Sequence, residues 1–374
     1  EFLEYSRGHV GEIIDTLDQL VQRESFTADK PAVDELGRWI RRQLDGLGAT
    51  TEVIPQSSVG DHILAGLGDG PEQVLILCHF DTVWPPGTAS RKPFRVEGGM
   101  AFGPGVLDMK AGIAITLHAL RLLQELDVQP KRRVRMVFNT DEETDSATSR
   151  EVIEREAGKS AHVFCLEPGF GKQGALKTAR KGVGAFDVKI TGRAAHAGND
   201  PENGISATEE MAYQVLRLKE LNDPSTGTTV TVGAARAGTV RNQVAPYAEA
   251  LVDIRVVTPE EGERVSQAIL GLTPVLPGAK LEVTGGMERP PMERTEAMVQ
   301  LFERASGIAL GLDVELKEAS VGGGSDAQFA AALGVPVLDG LGGVGEGPHA
   351  ETEYIFVDSL PQRTALLASL LVEL

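Results

Sequence analysis

Three short apolar runs, at residues 73–78, 133–138 and 162–166, constrain this chain most. They are too short for core helices. Apolar side chains at successive positions suit strands covered on both faces. Helix-period segments lie around them. Residues 31–47 place Val33, Leu36, Ile40, Leu44 and Leu47 at helical spacing, and Gly48 follows as a stop. Residues 109–126 form a second helix with an apolar face. Strands separated by helices predict an α/β fold with a mostly parallel sheet.

The rhythm changes near Lys177. Residues 184–191 and 228–235 alternate apolar and polar side chains, and residues 248–256 do so less strictly. Helix signals at 206–221 and 259–270 are interleaved with them. This predicts an inserted α+β unit, an antiparallel sheet with helices on one face, spanning residues 178–287. Gly285-Gly286 is read as its end. Helix and strand signals then resume and close at residues 359–371. The expected organisation is a discontinuous domain, 1–177 and 288–374, interrupted by the insert.

Charge narrows the function. The chain carries 36 basic and 54 acidic residues, a net charge of −18. Such a surface repels phosphate backbones and anionic lipid, so nucleic-acid and membrane binding are not expected. No apolar run approaches the ~20 residues of a membrane span. The insert holds 11 basic and 13 acidic residues, so nearly all the acidity lies outside it. Two cysteines, Cys78 and Cys165, cannot form a disulfide framework, and a reducing, cytoplasmic setting is expected. The residues from Glu1 to Tyr5 show no signal-peptide pattern, although an exported mature chain would begin the same way.

Five metal-ligating side chains fall at strand ends or in nearby turns: His79, Asp108, Glu143, Glu167 and His349. In a parallel sheet the carboxyl ends of the strands share one edge, so residues distant in sequence converge there. Imidazole with carboxylate suits zinc and similar divalent ions. Three carboxylates and two neutral imidazoles give −3. Two divalent ions with one hydroxide between them balance that charge, whereas one ion leaves buried negative charge in excess. A lone His-x-Asp or Glu-Glu pair says little; five such residues, each at a junction, say much more.

These residues stand in a longer pattern: His79-Phe80-Asp81-Thr82-Val83, Gly105-Val106-Leu107-Asp108-Met109-Lys110-Ala111-Gly112, Asp141-Glu142-Glu143, Leu166-Glu167-Pro168, Gly192-Arg193-Ala194-Ala195-His196-Ala197-Gly198, Gly322-Gly323-Gly324-Ser325-Asp326 and Gly347-Pro348-His349. In this order the chain resembles the co-catalytic zinc metallopeptidases that include glutamate carboxypeptidase, acetylornithine deacetylase and succinyl-diaminopimelate desuccinylase. The resemblance implies a zinc-peptidase catalytic domain with a ferredoxin-like lid that also forms a homodimer. It implies two Zn2+ per subunit, with Co2+ or Mn2+ as substitutes. Asp108 would bridge the ions, His79 and Glu167 would complete one, and Glu143 and His349 the other. Asp81 would orient the His79 ring. Glu142 would be the general base, passing a proton from the attacking water to the leaving amine. His196 of the dimer partner would donate a hydrogen bond to the developing oxyanion.

For the substrate, the resemblance implies Arg289 for an α-carboxylate and Asn242 near the scissile carbonyl. The glycines Gly323 and Gly324, ahead of a helix expected from Asp326, read as an anion pocket for a C-terminal carboxylate. Lys177, Arg180 and Lys181 read as a solvated basic cluster. The other histidines, His9, His62, His118 and His162, carry no motif. Two features depart from the family. Many relatives have Gly where Asp145 precedes Ser146, and the segment Thr178-Ala179-Arg180-Lys181-Gly182 is more basic than its counterparts. The expected activity is that of a carboxypeptidase releasing a C-terminal, acidic, glutamate-like amino acid. The alternative is an N-acyl amino-acid deacylase of acetylornithine deacetylase or desuccinylase type. Glu167 fits the carboxypeptidase and desuccinylase branches, since the aminoacylase branch commonly has Asp there. A catalytically silent binding protein is the third class, and an intact Glu142 with five ligands argues against it.

Overall fold

The computed structural model describes all residues, Glu1–Leu374. The chain divides into two compact units. One comprises Glu1–Ala179, Arg294–Ser320 and Ser325–Leu374; the other comprises Arg180–Glu293 and Val321–Gly324.

The first unit is built on an eight-stranded sheet. Its order is Thr50–Ile54, His62–Leu67, Arg133–Asn139, Gln73–His79, Ser160–Cys165, Val337–Asp339, Leu176–Arg180 and Glu318–Val321. The four strands from Arg133–Asn139 to Val337–Asp339 run parallel. Antiparallel pairs flank them. All seven residues of Gln73–His79 are buried, as expected of a central strand covered on both sides. The three apolar runs of the sequence are thus the middle of the sheet. Val337–Asp339, the fourth parallel strand, is too short to show a period.

The helix Lys30–Gly46 starts where the Asp29 carboxylate accepts the Ala32 N–H, with Pro31 in its first turn. It buries Val33, Leu36, Trp39, Ile40 and Leu44. Ala111–Glu125 is buried almost all round and packs against the C-terminal helix Ser359–Glu373, so it is a core helix rather than an amphipathic one. Each fully buried Leu or Ile there contributes about 1.5–3 kcal/mol.

That helix also buries His118, whose Nε2 lies 2.8 Å from the Thr16 hydroxyl. Burial, reinforced by the Arg121 charge, lowers its pKa from 6.5 to about 4. Above pH 6.5 the ring is neutral in both folded and unfolded chains. Between pH 6.5 and 4 the unfolded chain takes the proton and the folded chain does not, so stability falls with falling pH. That loss is on the order of 3 kcal/mol for this group. Denaturant titrations at pH 7 and pH 4 should show a smaller loss in His118→Gln than in wild type. Equal losses would remove His118 from the acid response.

The second unit holds a four-stranded antiparallel sheet in the order Thr229–Ala237, Tyr247–Val256, Gly182–Thr191 and Lys280–Arg289. Along the chain, the helix Ala207–Glu220 follows the strand Gly182–Thr191 and Pro259–Leu270 follows Tyr247–Val256, capped by the Ser206 and Thr258 side chains. The chain order β-α-β-β-α-β is that of a ferredoxin-like unit. Alternation over residues 184–191 turns Phe186, Val188 and Ile190 into a core with Met211, Leu218, Val265 and Ile269. Gly285-Gly286 lies within the strand Lys280–Arg289 and does not end the unit. Two glycines in sequence suggest a break, but the ladder with Gly182–Thr191 runs through them.

Candidate metal centre

The sheet places the first unit's polar residues at its carboxyl edge. His79 ends one parallel strand, Glu167 lies two residues beyond Ser160–Cys165, and Glu142 and Glu143 occupy the turn after Arg133–Asn139. Asp108 lies in the turn Val106–Lys110, which is not helical at Asp108 or Met109 and has a cis peptide between them. His349 sits in the connection between Gly345–Glu346 and Tyr354–Phe356, with a positive φ of 61°.

Two glycines permit this crowding. Gly105 has φ 69°, and a Cβ there would lie 2.7 Å from the Thr82 methyl. Gly342 donates its N–H to the Glu167 carbonyl at 2.9 Å. A Cβ on Gly342 would come 2.1 Å from the Leu166 carbonyl oxygen, too close for any side chain.

All five expected ligands come together. His79 Nε2 lies 3.2 Å from Asp108 Oδ1 and 3.3 Å from Glu167 Oε1. His349 Nε2 lies 3.4 Å from Asp108 Oδ2 and 3.0 Å from Glu143 Oε2. Asp108 therefore stands between two imidazoles, presenting one oxygen to each. Glu142, His79 and Glu167 offer ligand atoms within 4.8 Å of one another, as do His79, Asp108 and Glu143. Asp81 is buried beside them. Its carbonyl and Oδ1 lie 3.2 and 3.4 Å from His79 Nδ1, while Oδ2 accepts from Thr27 and from the Glu143 N–H. Asp81 thus faces His79 Nδ1 and leaves Nε2 toward the cluster.

The protonation pattern reports a site short of positive charge. Burial opposes a charged His79 ring, yet its bonds with Asp108, Asp81 and Glu167 raise it well above its usual range. Asp108 and then Glu143 raise His349 to about 11. Burial works against the Asp108 carboxylate, but His349 and His79 hold it below the usual range. Burial, with Asp108 adding to it, raises Glu143. Protons here occupy the place that cations would take. The donor set fits divalent ions: two imidazoles and three carboxylates, one of which, Glu143, has a buried Oε1 with no hydrogen-bond partner.

A buried polar network behind Glu142 and Glu143 was not evident from sequence. Asp141 accepts from the Thr148 N–H and hydroxyl and from the Ser149 hydroxyl. Asp326 accepts from Asn139 and Ser146, and His62 bonds Thr140 and Thr148. The turn residues Asp145 and Ser146 have φ 70° and 55°. Asp tolerates this region better than most side chains, which accounts for Asp145 at the position where the resemblance leads one to expect Gly. Spacing alone gives no sign of such a network, because its members face inward from four separate segments.

The expected substrate contacts, Arg289, Asn242, Gly323 and Gly324, and also His196, all belong to the second unit. Arg289 ends the strand Lys280–Arg289 and is buried. His196 and Asn242 are exposed on or beside the two-stranded ribbon of Ala195–His196 and Gln243–Val244. His196 Nδ1 accepts the N–H groups of Gly198 and Asn199, each at 3.1 Å, which leaves the proton on Nε2.

The basic cluster is not solvated. Lys177 and Arg180 are buried. Lys177 Nζ lies 3.7 Å from Glu167 Oε2. Arg180 donates to the carbonyls of Gly323 and Gly324 at 2.9 and 2.7 Å, and Lys181 donates to the Gly227 carbonyl. The expected anion pocket at a helix start is also altered. The helix Ala327–Ala332 has six residues, and the side chains of Gln328 and Ser325 take the N–H groups of Ser325 and Ala327. Positive charge at the glycine turn comes from the Arg180 guanidinium, not from a long helix.

Residues 75–373 match the model of peptidase family M20/M25/M40. Carboxypeptidase G2 of Pseudomonas sp. (strain RS-16) is 33% identical, the match covering 97% of this chain and 89% of that one. Succinyl-diaminopimelate desuccinylase of Thioalkalivibrio sulfidiphilus is 26% identical, covering 96% and 100%. The crystal structure of aminopeptidase PepT from Bacillus cereus ATCC 10987 superimposes with a TM-score of 0.79, covering 97% of this chain and 98% of that one. At 22% identity it speaks to the fold. No helix is long and apolar enough to cross a membrane. A family model covering most of the chain and a relative matched almost end to end make this protein a member of peptidase family M20/M25/M40, a metallo-hydrolase acting on C–N amide bonds.

Proposed function

We propose that this chain is a dizinc exopeptidase that hydrolyses an amide bond to release a C-terminal, acidic, glutamate-like amino acid. The observation that carries this reading is Asp108, one oxygen toward His79 and the other toward His349. His79 and Glu167 would hold one ion, Glu143 and His349 the other, with Asp108 shared between them. Bound there, divalent ions supply Lewis acidity to the scissile carbonyl and lower the pKa of water. Glu142, grouped with His79 and Glu167, accepts the proton that water loses as its oxygen adds to the carbonyl carbon. As the C–N bond breaks, Glu142 returns that proton to the leaving nitrogen. Asp81 keeps His79 Nε2 turned toward the cluster.

His196, supplied by the dimer partner's copy of this chain, is assigned as the donor to the carbonyl oxygen, since its Nδ1 is occupied and its Nε2 carries the proton. Arg289, Asn242 and the Gly323–Gly324 turn are assigned to the substrate carboxylate and carbonyl, with the turn held by Arg180. We assign a homodimer joined through the second unit. His196→Ala should lower kcat by about 10²–10³-fold with metal content unchanged, as loss of an oxyanion donor does. A wild-type rate would remove His196 from that role, and sedimentation as an active monomer would remove the dimer.

The carboxypeptidase reading is supported by the 33% identity to Carboxypeptidase G2. Zinc-loaded protein should cleave N-acyl glutamates and glutamate-terminated peptides in preference to N-acetylornithine and N-succinyl-diaminopimelate. The reverse preference would favour a deacylase.

A further inference from the structure

Glu353 lies four residues beyond His349 and is buried, 3% exposed. Its Oε1 accepts the backbone N–H of Leu107 at 2.8 Å and of Asp108 at 3.0 Å. Its Oε2 accepts the Gly105 N–H at 2.9 Å and the Trp84 indole N–H at 3.0 Å. Four N–H donors converge on one carboxylate.

These bonds answer a local need. The turn Val106–Lys110 departs from helical geometry at Asp108 (φ −111°, ψ 99°) and at Met109 (φ −124°, ψ 41°). N–H groups in and before such a turn lack the partners that a regular helix supplies, and buried ones must find others. Glu353 provides them. Its own backbone is fixed by the strand Tyr354–Phe356, which pairs with Met100–Phe102. Trp84 follows His79 by five residues. One side chain therefore ties together the segments that carry His79, Asp108 and His349.

We propose that Glu353 is a positioning residue that sets the Asp108 carboxylate between the two imidazoles and so fixes the spacing of the two cation sites. This rests on the metal reading above. A carboxylate is required because only two oxygens can accept all four bonds. Glutamine keeps the shape but offers one oxygen, and its amide NH2 would face two N–H donors. The turn would then shift to relieve two unmet contacts, carrying Asp108 with it. A merely structural anchor would alter thermal stability without altering cation binding.

The test compares wild type, Glu353→Gln and Trp84→Phe by zinc titration of chelator-treated protein, by kcat and KM, and by melting temperature. Wild type should take two ions. Glu353→Gln should bind at least one of them about 10–100-fold more weakly, with kcat at saturating zinc down by a similar factor. KM should change by less than about threefold, since substrate binding is not what the turn controls. A folded Glu353→Gln with wild-type zinc affinity and kcat, and only a lower melting temperature, overturns the inference. If Glu353→Gln does not fold, Trp84→Phe decides, because it removes one donor and leaves the carboxylate. Zinc binding weakened about threefold or more then supports the inference, and unchanged binding overturns it. Wild type that binds no divalent ion would overturn the metal reading itself, and the inference with it.

Discussion

Glu142→Gln should keep two bound divalent ions per chain and lose about 10²–10⁴-fold in kcat. The side chain stands in the turn Glu142–Thr144, next to Glu143 and within 4.8 Å of ligand atoms of His79 and Glu167. The five assigned ligands do not include it, so removing its charge leaves the cation sites in place. What is lost is the group that carries the proton from water to the leaving nitrogen. Zinc content by mass spectrometry and steady-state kinetics on a glutamate-terminated substrate read the two effects separately. KM should change little, since a proton carrier acts in the transition state more than in substrate binding. Full activity would show that another group is the base, and loss of zinc would make Glu142 a ligand.

Asp108→Ala should have the larger effect on metal. Asp108 is the one residue whose two oxygens face different imidazoles, at 3.2 and 3.4 Å. Without it, two imidazoles and two carboxylates remain, and nothing stands between the cations. Their mutual repulsion in a partly buried site is then unscreened. Zinc stoichiometry should fall from two per chain to one or none. Activity should fall by more than the ~10–100-fold typical of outer-shell partners. Asp108→Asn separates charge from shape, since it keeps one oxygen and should retain an ion at the His79 or the His349 side. Two zinc ions with normal affinity in Asp108→Ala would overturn the shared-ligand assignment. Mass spectrometry under native conditions counts them directly.

Much of this is legible in the amino-acid sequence. The runs at 73–78, 133–138 and 162–166 are parallel strands, because a strand covered on both faces must be apolar at successive positions. His79, Glu143 and Glu167 follow those strands, so their convergence could be expected from topology, whereas Asp108 and His349 come from the turn Val106–Lys110 and from the connection before Tyr354–Phe356. Alternation in residues 184–191 likewise reports a sheet with one face turned to its helices. The fourth strand of the second unit stayed hidden because paired glycines imitate a break.

Residue order thus determined which chemical groups gather at the sheet edge and in what company. Tertiary structure alone decided what holds them there. Glu353 is one of two acidic residues in a polar stretch, the other being Glu351, and its spacing carries no signal for four N–H donors drawn from Trp84, Gly105, Leu107 and Asp108. Arg180 reads as one of several surface cations until the glycine carbonyls come within reach of its guanidinium. Periodicity records burial, which every residue on a face shares. Hydrogen bonds between distant segments record individual pairings, and those exist only once the chain has closed on itself.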